Sequence, residues 1–189
     1  RTTIYYTVMT FCLIALFCLV LSLGAVEIPI KEVLHSLFGG EVNETNRYIV
    51  LQARLPFALT AIISGAGLSA AGLMMQTTFH NPLAGPSILG VSSGASLGVA
   101  LLTLPVISSF GGMALPITGA VLGAGVVVAI LSLFSAFMRS GFTLLIVGIM
   151  ISYLCSALIS LLNFFAPAND VKQFAVWGMG SFAAVTIEN

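Results

Sequence analysis

Charge is what this sequence has least of. Lysine and arginine together number 6 and the acids another 6, so charged residues make up 6% of the chain, against roughly 25% in an average soluble domain. Residues 55–138 contain no Lys, Arg, Asp or Glu at all. A surface that faces water needs charge, so this stretch is excluded as the outside of a soluble domain. The net charge of zero gives no footprint for nucleic acid or for a basic membrane-surface arm. Cysteine is scarce as well. Cys12, Cys18 and Cys155 all sit in apolar runs, where a cysteine acts as a small packing residue and indicates no redox compartment.

What is present is apolar. Hydrophobic residues make up 59% of the chain and the mean hydropathy is +1.14. About 20 apolar residues cross a bilayer once as a helix, and five such segments can be drawn: residues 8–26, 55–79, 88–106, 114–138 and 142–165. The first is long for a signal-peptide core and no small-residue cleavage site follows it, so it is expected to stay as a transmembrane helix. Residues 27–54 hold four of the six acids, three basic residues and the turn formers Pro29, Gly39, Gly40 and Asn43. They read as a water-exposed loop with a short helix around residues 31–37. Residues 174–184 are apolar but too short to cross, which suits a re-entrant or interfacial helix with Trp177 at headgroup depth. The fold class is therefore all-α, a polytopic transmembrane helical bundle of about five spanning helices plus the short re-entrant or interfacial one, and residues 1–189 are expected to belong to a single transmembrane domain. A count of Lys and Arg on the two sides places the loop at 27–54 in the cytoplasm.

Small residues crowd the second segment, and glycines recur four apart at Gly90, Gly94 and Gly98 and at Gly119 and Gly123. In lipid such positions let helix backbones approach closely. Two short motifs point elsewhere. Gly65-Ala66-Gly67-Leu68-Ser69-Ala70 matches a dinucleotide fingerprint, but it lacks the preceding strand and the acid that chemistry needs. Gly90-Val91-Ser92-Ser93-Gly94 matches a nucleophile elbow. An intramembrane serine hydrolase using Ser92 or Ser93, with His80 or His35 as base, is the rival functional class.

Three further features carry functional weight. Arg54 opens the second segment, either as an interfacial anchor or as a cation pairing with an acid on a partner. Ser152, Ser156, Ser160 and Asn163 fall on one helical face, where they either hydrogen-bond between helices or line a polar passage. Residues 80–86, His-Asn-Pro-Leu-Ala-Gly-Pro, break the helical pattern.

Taken together, Arg54-Leu55-Pro56, Gly72-Leu73-Met74-Met75-Gln76, Asn81-Pro82-Leu83-Ala84-Gly85-Pro86 and Leu89-Gly90-Val91-Ser92-Ser93-Gly94-Ala95 resemble a known family. It is the permease subunit of ABC importers for iron-siderophores, haem and vitamin B12. Leu145-Ile146-Val147-Gly148-Ile149 and Val176-Trp177-Gly178-Met179-Gly180-Ser181 are similar to it too.

The resemblance implies an N-terminal half of such a subunit. Family members have about ten transmembrane helices, each crossing with about 20 residues. The implied partners are a second copy of the permease, cytoplasmic ATPase subunits, an external solute-binding protein and the lipid bilayer of the bacterial inner membrane, with no nucleic acid. The implied cargo is an iron chelate, haem or cobalamin. No catalytic residue and no metal or cofactor is expected on this chain, since ATP and Mg belong to the separate ATPase. The family orientation reverses the charge count and places the loop at 27–54 outside. Arg54 then matches the family's docking arginine, and Phe57 stands where a second arginine is frequent. Arg139, Ser140, Gly141 and Phe142, with Asn81 and Pro82, match the cytoplasmic gate region. Ser152, Ser156, Ser160 and Asn163 would line the translocation pathway.

Overall fold

The structure, a computed structural model, describes residues 2–40, 42–82, 85–104, 114–137, 141–182 and 185. The described residues are helical, with no strand among them. They fall into two compact units, 1–66 with 181–189 and 67–180.

In the first unit, α1 covers Thr2–Ser22. The chain turns through Gly24 and Pro29 into α2, Ile30–Phe38, with Glu32 in its first turn. Gly39 adopts a left-handed conformation (φ 84°), and the Gly40 amide donates to the His35 carbonyl at 2.8 Å, a Schellman ending that satisfies an orphan carbonyl. Asn43 then starts α3, Glu44–Tyr48, by accepting from the Thr45 amide at 3.1 Å. A π-helical turn, Ile49–Arg54, follows and feeds directly into α4, Leu55–Phe79. Leu21, Ile28, Val33, Val50 and Ala58 form the buried core of this unit.

The π turn has a local cause. Pro56 lacks an amide hydrogen and its ring crowds the carbonyl one turn back. Widening the turn ahead of it, with the Leu55 amide bonding to the Val50 carbonyl, keeps the helix running without a break.

In the second unit, α5 is Val91–Thr103, α6 is Ala114–Phe137, α7 is Gly141–Phe165 and α8 is Ala168–Gly178. Helices α5 and α6 pack on their glycines. A Cβ placed on Gly119 would lie 2.8 Å from the Gly98 carbonyl oxygen, and one on Gly123 would be 3.0 Å from the Gly98 Cα. Only hydrogen fits at such a seam. A second cluster joins Leu89, Val127 and Leu131 with Met75 and Phe79 of α4 and with Leu144, Leu145, Val147 and Ile151 of α7.

Four helical stretches among the described residues are long and apolar enough to cross a membrane: Thr2–Ser22, Glu44–Phe79, Leu115–Phe137 and Gly141–Phe165. The expected span at 88–106 is instead a helix of 13 residues, about 20 Å long. Proline at 86 and glycine at 90 hold residues 86–90 in turns, which delays the helix start; residues 105 and 106 lie outside the described ones. The first span begins earlier and ends earlier than expected, because residues 23–29 turn at Gly24 and Pro29. The expected loop at 27–54 is largely helical. The expected short helix at 174–184 begins sooner, since Pro167 takes the N-cap position and Asp170 sits in the first turn, and it ends before Gly180 (φ 71°).

Candidate functional site

Arg54 is the last residue of the π turn and is half-buried. Its guanidinium reaches back to the end of α1. Nη1 donates to the Leu21 carbonyl at 2.7 Å and to the Ser22 carbonyl at 2.8 Å, and Nη2 donates to the Val26 carbonyl. The last carbonyls of a helix have no partner within it, and they carry the negative end of the helix dipole. The arginine fork answers both. It stands beside an apolar cleft of about 700 Å³ lined by Leu19, Leu23, Val26, Ile49, Ala53 and Phe57. Phe57 packs edge-on against Phe182, ring centres 6.0 Å apart.

The expected gate residues lie around the C-terminus of α4. His80 takes the left-handed position that ends this helix (φ 49°). Its amide donates to the Thr77 carbonyl at 3.4 Å and the Asn81 amide to the Gln76 carbonyl at 3.2 Å, the paired bonds of a Schellman cap. The Gln76 side chain then grips the Pro82 carbonyl at 3.1 Å. Gly141 opens α7 against the same helix end, where a Cβ would lie 3.2 Å from the Phe79 ring. Phe142 projects outward, 72% exposed. Arg139 and Ser140 lie outside the described residues.

The four polar residues of α7 divide. Ser152 is half-buried and donates to the Gly148 carbonyl at 3.1 Å. It faces the turn before α5, where Gly90 (φ 78°) leaves no room: a Cβ there would be 2.8 Å from the Gly148 oxygen and 3.0 Å from Ser152 Oγ. Ser156 and Ser160 open outward, Ser160 returning its proton to the Ser156 carbonyl at 3.0 Å. Asn163 is half-buried, and its buried Oδ1 accepts no hydrogen bond. The opposite face of α7 is apolar. There Ile151, Leu154 and Cys155 join Gly98, Gly123 and Val126 around a groove of about 580 Å³, so that groove and the polar stripe are separate surfaces.

The hydrolase arrangement loses its setting. A nucleophile elbow needs a strand leading into the serine, whereas turn residues precede α5. Gly94 is required instead by the α6 contact, a Cβ there falling 2.8 Å from the Gly123 carbonyl oxygen. The dinucleotide pattern likewise lies inside α4, and Cβ atoms at Gly65 and Gly67 would meet open space.

Sequence reasoning missed the α1 cap, the π turn and the Gln76–Pro82 bond. A proline two residues after an arginine inside a helical run was the available signal for the turn. Nothing in the sequence pointed to the carbonyls 28 to 33 residues upstream that Arg54 engages.

Comparison with known proteins covers nearly the whole chain. The model of the FecCD transport family matches residues 12–189. The vitamin B12 import system permease protein BtuC of Yersinia pseudotuberculosis serotype O:1b is 35% identical over 175 residues, 86% of this chain and 51% of the relative. The BtuC protein of Salmonella paratyphi A is 35% identical over 147 residues, 78% of this chain and 45% of its own length. A solved inward-facing conformation of a transporter assigned to the metal-chelate ABC type superposes with a TM-score of 0.81 at 28% identity, covering 100% of this chain and 56% of that one. The chain thus spans about half the length of the curated relatives it matches. The four long apolar helices here fit a multi-pass membrane protein.

Proposed function

The chain belongs to the FecCD transport family, and from that membership we propose that it is the N-terminal half of the permease subunit of an ATP-driven importer. Two copies form a passage through the bacterial inner membrane. Cytoplasmic ATPase subunits bind ATP and Mg, and an external binding protein delivers the cargo. The passage opens to one side at a time, and no bond in the cargo is made or broken on this chain.

The observation that carries the reading is the 100% coverage of this chain by a metal-chelate ABC transporter fold at a TM-score of 0.81. The cargo class follows from chemistry. The candidate lining is hydroxyl, amide and apolar, which suits a bulky chelate: a siderophore complex, haem or cobalamin. A bare cation would need a converging set of oxygen or imidazole ligands. Ser156, Ser160 and Asn163 are assigned to the passage wall, with Ser152 packed behind them against the Gly90 turn, and Asn81, Pro82 and Arg139–Phe142 to the cytoplasmic gate. Arg54 is assigned to docking through whatever part of its guanidinium the α1 carbonyls leave open.

The test is uptake by the intact permease, reconstituted with its ATPase into vesicles. Labelled cobalamin, ferric siderophore and haem are offered in turn with the cognate binding protein. ATP-dependent accumulation of one of them is expected. Accumulation of none, or equal accumulation without ATP, refutes the proposal.

A further inference from the structure

Helix α2 has two apolar faces. The inner one is accounted for: Val33 is 4% exposed and Ser36 2%, and Val33 packs with Leu21, Ile28, Val50 and Ala58 while Leu37 lies against them. The outer one is not. Ile30, Leu34 and Phe38, spaced four apart, are 57%, 45% and 85% exposed. That spacing stacks them on one side of the helix. Lys31 and His35 are exposed on the adjoining flank, while Glu32 is turned aside to accept from Asn46 Nδ2 at 2.7 Å.

The position of α2 says what meets this outer stripe. Helix α1 is long and apolar enough to cross a membrane and ends at Ser22. Its apolar residues stay exposed toward that end, Leu13 and Leu16 at 52% and 61%. Helix α2 starts at Ile30 and is fixed by its buried face to Leu21 at that same end of α1. It therefore sits at the rim of the hydrocarbon layer, its outer stripe extending the lipid-facing surface of α1. A lysine beside an apolar stripe at that depth reaches up to phosphate while its stem stays in the apolar zone.

We propose that α2 is an interfacial helix whose Ile30–Leu34–Phe38 stripe is immersed at the headgroup–acyl boundary, where it anchors the loop between α1 and α4 to the lipid surface. The inference rests on the membrane embedding of α1 and is independent of what the protein transports.

Spin labels test it on the intact protein. The native cysteines, Cys12, Cys18 and Cys155 among them, are first replaced by serine or alanine, and single cysteines are then placed at 34, 35 and 38 and labelled. The protein is reconstituted into vesicles of phosphatidylcholine and phosphatidylglycerol. Labels at 34 and 38 are expected to collide more with oxygen than with a water-soluble nickel chelate, and the label at 35 the reverse. Nickel-dominated collisions at 34 and 38 would show water on this face. Immobilised labels shielded from both reagents would show a protein cover, whether a second copy or another partner. Either result overturns the proposal. A label's mobility and collision ratio are read only from protein that inserts and elutes as the unmodified protein does.

Discussion

Arg54 closes the end of α1 through Leu21: its Nη1 lies 2.7 Å from a carbonyl oxygen 33 residues upstream in the chain. One side chain thereby joins the first spanning helix to the start of the next. A hydrogen bond from a charged donor contributes about 1.5–3 kcal/mol. Arg54→Ala is expected to lower thermal stability in detergent by several degrees. Arg54→Lys should recover only part of the loss, because an ammonium cannot reproduce the planar fork. Unaltered melting of the alanine variant would confine the arginine to contacts outside the chain.

The α5–α6 seam gives a sharper contrast. Gly98→Leu and Gly123→Leu force side chains into the opposing backbone, and overpacking of this kind costs about 1–3 kcal/mol or more. Gly125→Leu, on the same helix as Gly123 but facing open space, should fold normally in the intact protein. Protease resistance in detergent reports the difference; equal resistance in all three variants would contradict the seam.

His80 is expected to be dispensable. It fills a left-handed position (φ 49°), which costs a non-glycine residue about 1–2 kcal/mol. His80→Gly should hold or raise the melting temperature and leave transport intact. A fluorophosphonate probe should not label Ser92 or Ser93. Loss of function with unchanged melting would restore a chemical role to the imidazole.

Stability and transport should separate along α7. Asn163 Oδ1 is buried without a partner, and an unsatisfied buried acceptor costs about 1–3 kcal/mol. Asn163→Leu is expected to raise the melting temperature while reducing uptake. Ser156→Leu with Ser160→Leu should reduce uptake several-fold at normal melting, because both residues face outward. Ser152→Ala, which alters a local packing contact, should do neither strongly. Wild-type uptake by the Ser156/Ser160 double variant would remove the stripe from the passage.

Much of the architecture was written in hydropathy. Runs such as 114–138 and 142–165 have length and composition that permit one solution in lipid, and the helices α6 and α7 match them closely. The glycines at 98, 119 and 123 announced close contacts by their spacing, and the contacts formed. The polar stripe on α7 was legible as a face, but its division into inward Ser152 and outward Ser156 and Ser160 was not, since spacing fixes an angle on the helix and says nothing of what stands opposite. Boundaries failed where turns compete with apolarity: residues 88–90 were expected to join α5, yet the turns after Pro86 hold them out. Arg54 was legible as a charge at a helix mouth. Its partners are backbone atoms, which leave no trace in side-chain pattern.

The widened turn at Ile49–Arg54 makes this segment unusually tolerant of losing a residue. A π turn holds one residue more than an ordinary one, so deleting one residue between 49 and 53 would let the segment relax to ordinary pitch while the residues on either side keep nearly their present phase. Arg54 would keep its bearing toward α1. The same deletion further on, inside α4, has no slack to absorb it and would turn the rest of that helix by about 100° relative to the joint with α1.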